Sequence, residues 1–120
     1  DTTTATAHFG TANPLYQEIA ALARIRRATP ALTRGRQLLR ARSDKPGLLA
    51  ISRFDPVSGR EVLLAFNTAT TPVTAQVQVE TGSTRFAALA GRCAATVAAP
   101  ASLTVTLPPL GYAICAAEAP

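Results

Sequence analysis

The spacing of apolar residues changes along the chain, from a helical period near the start to a strand-like period in the rest. Between Pro14 and about Ala28, large apolar residues recur at intervals of four and three, which places them on one side of a helix. Asn13 can cap the first turn of this helix, and Pro30 stops it. We therefore predict one amphipathic helix whose apolar stripe consists of Leu15, Ile19, Leu22 and Ile25.

The shorter apolar segments that follow have the pattern of β-strands. VTAQVQVE and SLTVTL alternate apolar and polar residues, as half-buried strands do. LLAISRFD and EVLLAFN are separated by the Pro/Gly turn PVSGR, which is typical of a hairpin. With RQLLRAR, RFAAL and GYAICAA, these segments give about seven short strands. We predict a mainly β fold, an antiparallel β-sandwich of the Greek-key type preceded by one α-helix.

The length and composition set limits on this fold. A chain of 120 residues with 48% hydrophobic residues can bury one core, so we expect a single compact unit. No apolar stretch reaches the roughly 18 residues that span a bilayer, and we expect no membrane partner. We divide the chain into an extended leader (residues 1–12), the helix with its following turn (13–35) and the β-sandwich (36–120).

Positive charge is concentrated in the first half of the chain. The net charge is +5, and seven arginines lie between Arg24 and Arg42 with no acidic residue among them. Such a cluster can bind nucleic acid, but arginine also pairs with carboxylates at protein interfaces. No aromatic residues are interleaved with the arginines, and no helix-turn-helix pattern is present. We therefore expect no nucleic-acid partner and favour contact with an acidic protein surface.

The residue types that carry catalysis are scattered. Only Asp55 and Glu61, which flank the predicted hairpin turn, could approach one another, and they would do so beside Arg53 and Arg60 in solvated ion pairs. His8 is the only histidine and lies in the Thr-rich leader, which excludes a Ser-His pair or a multi-His metal site within the chain. We expect no catalytic residue, no metal and no cofactor in this chain.

Exposed aromatic residues are candidate sugar platforms, because pyranose rings stack on aromatic faces. Phe66 and Tyr112 are in phase with apolar strand neighbours and are expected to lie in the core. Phe54, at the shoulder of the hairpin, is the remaining candidate for a weak sugar contact. Packing beneath the turn is the alternative for this residue.

Four segments in this order carry a resemblance to a known family. NPLYQEIAALARIRRATPALTRGR resembles the last barrel helix of the α-amylase family of glycoside hydrolases and the Pro-Ala-Leu-x-x-Gly turn beyond it. LLAISRFDPVSGREVLLAFN resembles the central hairpin of that family's C-terminal all-β domain, and LTVTLPPLGYAIC resembles its closing strand. The resemblance implies a parent enzyme that cleaves α-glucosidic bonds by the retaining mechanism, with its two carboxyl groups in a (β/α)8 barrel outside this segment.

The resemblance also implies a role and partners for the chain. It would be a non-catalytic accessory domain that packs on the catalytic barrel in cis, shields apolar barrel surface, stabilises the parent and contacts long α-glucan. A stand-alone carbohydrate-binding β-sandwich module is the alternative. We expect the helix to stay docked on the sandwich and its barrel-facing side to allow self-association. The residues assigned to the barrel interface are Tyr16, Arg24, Arg27 and Arg34.

Cys93 and Cys115 are the only cysteines. Starch-degrading enzymes of this family are commonly exported, and the resemblance therefore implies a periplasmic or extracellular location in which the two cysteines can form a disulfide. Two buried free thiols are the alternative, since free cysteine behaves as a small apolar residue.

Overall fold

The computed structural model describes residues 14–98 and 101–119, without the side chains of residues 14–16 and 18. The leader with His8 and the capping residue Asn13 lie outside the described residues. Two helices come first, α1 (Pro14–Ala28) and α2 (Pro30–Arg34). Seven strands follow: β1 (Arg36–Ala41), β2 (Leu48–Phe54), β3 (Glu61–Asn67), β4 (Val73–Gln78), β5 (Phe86–Ala90), β6 (Ser102–Leu107) and β7 (Tyr112–Ala117).

The strands form two antiparallel sheets. The larger sheet has the order β1-β2-β3-β7-β5, and the smaller sheet pairs β4 with β6. The chain crosses between the sheets after β3, β4, β5 and β6, and the last strand returns to lie between β3 and β5. The prediction of a mainly β antiparallel sandwich is confirmed. Six of the seven predicted segments contain one strand each, and β5 extends one residue beyond the seventh segment, RFAAL, to Ala90.

The main core lies between the two sheets. Leu63 and Ala65 of β3 face Leu103, Val105 and Leu107 of β6, and all five are at least 95% buried. β4 and β6 have the alternating burial that their sequences predict, because only one face of the small sheet is covered. By contrast, β3 and β7 are buried along most of their length, since both of their faces are in contact with other parts of the chain.

One ionic network is buried at an end of this core. Arg40 donates to Glu61 Oε2 at 3.1 Å, to Glu80 Oε2 at 2.6 Å and to Ser52 Oγ at 2.9 Å. Ser52 also donates to Glu61, and Glu61 Oε1 accepts the backbone N–H of Glu80 at 2.9 Å. Because Glu80 follows β4, these bonds join the large sheet to the small sheet. The side chain of Glu61 is 1% exposed, so its predicted place in a solvated ion pair beside Arg53 or Arg60 is wrong.

The segment before β1 contains two helices where the sequence predicted one helix and a turn. Thr29 has extended backbone angles, φ −120° and ψ 96°, as expected for the residue before a proline. Pro30 then occupies the first turn of α2, where its missing N–H costs nothing. The proline that ends α1 therefore also begins α2.

The predicted apolar stripe of α1 is only partly covered. Leu22 packs against the large sheet and Ile25 is half-buried, but Ile19 is 48% exposed. The reason is that α1 packs mainly on α2, and it is α2 that packs on β2 and β3. Leu15, the first residue of the stripe, has a side chain outside the described residues.

Cys93 and Cys115 form a disulfide, with their Cα atoms 5.8 Å apart. Cys115 lies in the core on β7, and Cys93 lies in the segment after β5. The bridge therefore ties this irregular segment to a central strand.

We predict that thiol titration of the denatured, unreduced protein will find no free thiol. Reduction should lower the free energy of unfolding by about 3 kcal/mol, because the 22-residue separation closes a loop in the unfolded chain. Two free thiols per chain in the unreduced protein would contradict this prediction.

We predict that Glu61→Gln lowers the free energy of unfolding by about 3 kcal/mol, because it removes one charge from a buried pair. Glu80→Gln is the matched control, because Glu80 also pairs with Arg40 but its side chain is 52% exposed. This substitution should lower the free energy of unfolding by about 1 kcal/mol or less. Urea unfolding of the two variants and the parent chain measures both changes. Equal effects of the two substitutions would show that the burial of Glu61 is not what matters.

Candidate functional site

The face of the large sheet that points away from the small sheet is apolar, and we call it the outer face. Cross-strand pairing places Leu39, Ile51 and Leu64 in one row of this face. Phe66 and Tyr112 lie in the next row, with their ring centroids 6.4 Å apart. Leu39 is 52% exposed and the other four are half-buried. The outer face is therefore only partly covered by the described part of the chain.

The two helices cover one part of the outer face. Ala31 of α2 is 1% exposed and packs with Val62 and Ile114 of the sheet. Leu22 of α1 packs on the edge of this cluster. Gly35, directly after α2, has no room for a side chain, since a Cβ there would lie 2.4 Å from the carbonyl oxygens of both Ala31 and Phe54. The small residues of the sequence PALTRG thus allow α2 to lie against the sheet.

Arg53 of β2 holds α2 in this position. Its Nε donates to the carbonyl oxygen of Ala31 at 2.7 Å, and its Nη2 donates to that of Gly35 at 2.8 Å. Its Nη1 donates to the side chain of Gln37 at 3.1 Å. A guanidinium can satisfy carbonyls at the end of a helix and carries a charge that the helix dipole favours there. We call these bonds the Arg53 clamp.

An open groove of about 300 Å³ separates the helices from the rest of the outer face. Its walls are largely apolar, with the arginines Arg26 and Arg53 at its side. The residues that line it are Leu22, Arg26, Leu32, Arg53, Leu64, Phe66, Tyr112 and Ile114.

The arginines assigned to an interface do not line this groove. Arg24, Arg27 and Arg34 are all on the helices and are exposed. The side chain of Tyr16, the fourth residue of that set, lies outside the described residues. Arg40 is different from the other arginines, since its side chain is 7% exposed and is bound by two carboxylates. It therefore does not belong to a basic surface patch.

Phe54 does not offer an exposed ring. It is 6% exposed, and the guanidinium carbon of Arg36 lies 4.5 Å from its ring centroid. A cation over one face and the fold around the rest leave no free face on which a sugar could stack. The structure favours the alternative, in which Phe54 packs beneath the hairpin turn.

The carboxyl groups of the hairpin have structural partners. Asp55 Oδ1 accepts the backbone N–H groups of Ser58 at 2.9 Å and Val57 at 2.8 Å. These bonds hold the pKa of Asp55 below its ordinary value, and the bond from Ser58 has the larger effect. A carboxyl group that must donate a proton near neutral pH needs the opposite shift. Among the described residues, no group of three or more His, Cys, Asp or Glu side chains could hold a metal ion.

Two residues that matter here were not identified from the sequence. Arg53 was considered only as a neighbour of the hairpin acids, and Asn67 was read as the last residue of a strand. Asn67 is 2% exposed, and its amide donates to the carbonyl oxygens of Thr71 at 2.7 Å and Pro108 at 3.0 Å. The sequence signal was available in part, since a polar residue that ends a wholly apolar strand usually binds backbone groups.

The chain is similar to one part of a larger known protein. It is 39% identical over 109 residues to an α-amylase from Streptomyces lividans, a match that covers 90% of this chain and 12% of that protein. The chain thus spans about an eighth of the length of the relative it matches. No protein-family model matches the chain. Neither helix of the described residues is long and apolar enough to cross a bilayer.

A solved structure has the same fold. The crystal structure of AmyP in complex with maltose matches with a TM-score of 0.70 and 17% sequence identity, over 87% of this chain and 20% of that one. At this identity the match is evidence for the fold alone. The sequence match confirms the resemblance to an α-amylase, and the structural match supports the β-sandwich fold.

We predict that Arg53→Ala will release the helices from the sheet. Amide exchange between residues 19 and 34 should become faster, and the free energy of unfolding should fall by about 2–3 kcal/mol, because two buried carbonyls lose a charged donor. Arg53→Lys should restore only part of the lost stability, since an ammonium group cannot donate to both carbonyls in the fixed geometry of a guanidinium. Arg42→Ala, at an exposed arginine after β1, is the control and should leave the exchange unchanged. Unchanged exchange in Arg53→Ala would contradict the clamp.

Proposed function

We propose that this chain is the non-catalytic C-terminal accessory domain of an α-amylase-type glycoside hydrolase that acts on α-glucans. In this proposal α1 is the last helix of the parent's (β/α)8 barrel, and residues 36–120 form the domain that packs beside it. The observation that carries the proposal is the outer face, which is apolar but only partly covered, with a helix clamped to one side of it.

The exposed apolar residues support a large partner in cis. Ile19 on α1 and Leu39 on the outer face are both about half exposed, and each would gain about 1 kcal/mol from further burial. The outer face continues from the helices onto the open sheet, so a barrel that contains α1 would reach both residues. Exposed Arg24, Arg27 and Arg34 could then pair with carboxylates of the barrel surface. Self-association is what the same surface would promote when the barrel is absent.

The placement of the carboxyl groups supports a non-catalytic role. Retaining hydrolysis needs two carboxyl groups about 5–5.5 Å apart around the scissile bond, one of them protonated. Of the hairpin acids, Glu61 is bound by Arg40 and Ser52, and Asp55 has a lowered pKa. Neither is arranged to act as an acid. The disulfide is consistent with an exported parent.

The proposal is tested in the parent, produced from the whole reading frame that contains Asp1. Ile19→Asp or Leu39→Asp should lower the melting temperature of the parent by about 3 °C or more, because each would place a charge in the interface. Val57→Asp is the matched control, since Val57 is 92% exposed on the turn between β2 and β3.

In the isolated chain, Leu39→Asp and Val57→Asp should have equally small effects, and neither chain should release reducing sugar from starch. A parent without a (β/α)8 barrel, or one in which Leu39→Asp behaves like Val57→Asp, would overturn the proposal.

A further inference from the structure

A second cleft shares Tyr112 with the groove beside the helices and is otherwise lined by different residues. It has a volume of about 530 Å³ and lies at one end of the sandwich, where β4 begins, β6 ends and β7 begins. Pro72, Pro108 and Pro109 form apolar walls, and Tyr112 contributes an aromatic side. Arg92 and Thr106 are the polar side chains that line it. Small-molecule sites of about 300–1,000 Å³ commonly have such walls and a few polar groups.

Asn67 holds two of the walls in place. Its Nδ2 donates both to the carbonyl oxygen of Thr71, next to Pro72, and to that of Pro108. Its Oδ1 accepts the backbone N–H of Ala69 at 3.0 Å. Because the amide is buried and bonded on both sides, the two proline walls have a fixed separation. Proline side chains have little conformational freedom to lose, so the cleft is formed before any ligand arrives.

The opposite wall is fixed by close backbone contact and by the disulfide. Gly91 has φ +71°, and a Cβ there would lie 2.5 Å from the carbonyl oxygen of Tyr112. This close approach brings Arg92 beside Tyr112. Cys93, the next residue, is bonded to Cys115 of β7. Arg92 is therefore presented by a segment that is tied to the sheet on both sides.

The turn that carries the prolines holds a residue in an unfavourable conformation. Leu110 has φ +57°, which is uncommon for a residue with a Cβ, and its side chain is 67% exposed. Its N–H donates to the carbonyl oxygen of Ala69 at 2.9 Å. Such a conformation persists only where the surroundings determine it, and it is common at ligand sites.

We propose that this cleft, which we call the proline cleft, binds one or two glucose units of an α-glucan chain. The C–H faces of a pyranose fit apolar walls and an aromatic side, while its hydroxyls at the ring edge would bond Arg92 and Thr106. A multiply charged anion is a poor fit for this cleft, because sites for such anions have several hydrogen-bond donors and the cleft has one cationic side chain. The choice of α-glucan as the ligand rests on the proposed function.

The experiment titrates maltoheptaose into the isolated chain and into the parent made inactive at its catalytic acid, with cellohexaose as the linkage control. NMR shifts of backbone amides locate the site in the chain, and calorimetry gives the affinity. We expect a dissociation constant on the order of 1 mM, since the ligand meets one aromatic and two polar side chains. Shifts should centre on residues 91–92, 106–109 and 112.

Arg92→Ala should weaken binding about tenfold, because it removes a charged donor, and Thr106→Val should weaken it less. Arg60→Ala, on the exposed hairpin turn, should leave the affinity unchanged. Asn67→Ala should weaken binding although Asn67 does not line the cleft, provided that the variant's amide spectrum shows it folded. If it does not fold, Arg92→Ala and Thr106→Val decide alone.

Several results would overturn the proline cleft as a sugar site. One is the absence of binding at about 20 mM maltoheptaose, which is well above the expected dissociation constant. Another is an affinity that Arg92→Ala and Thr106→Val leave unchanged. The third is binding to the isolated chain that is lost in the parent. The accessory role is judged separately by the melting temperature of Leu39→Asp, so a chain that stabilises its parent but binds no maltoheptaose would contradict the cleft alone.

Discussion

The structure depends on one constraint: the central strands β3 and β7 are apolar on both faces and need cover on both. The small sheet covers one face completely, and the core residues there are at least 95% buried. The helices cover only part of the other face, held by the Arg53 clamp. In the proposed accessory role, this partly covered apolar face is the side on which the partner packs.

The same constraint explains which features the sequence could predict. The clean alternation of β4 and β6 predicted half-buried strands, since those strands have one covered face. The continuous apolar runs of β3 and β7 predicted strands. They did not predict which element covers the second face of these strands, because the spacing of apolar residues does not say what packs on a face. Ile19 shows the limit for helices: it lies on the apolar stripe of α1, yet its cover is not in the described chain.

Polar partners were harder to predict, because they are set by contacts between distant residues. Glu61 looked like a strand-end acid beside Arg53 and Arg60, but it pairs with Arg40, 21 residues earlier in the chain. Asn67 bonds Pro108, which is 41 residues away. By contrast, the glycine of PALTRG and the prolines of TLPPLG were visible as motifs, and the structure gives their reason. Gly35 admits α2 to the sheet, and the proline turn forms a wall held by Asn67.

The most direct measurement is side-chain solvent footprinting of the isolated chain and of the whole parent under identical conditions. If the outer face is the side on which a catalytic barrel packs, then Ile19, Leu39 and Phe66 become protected from hydroxyl-radical labelling in the parent. Val57 on the hairpin turn, which is 92% exposed, should be labelled equally in both samples. Equal labelling of Ile19, Leu39 and Phe66 in the two samples would contradict the assignment of the outer face to a partner in cis.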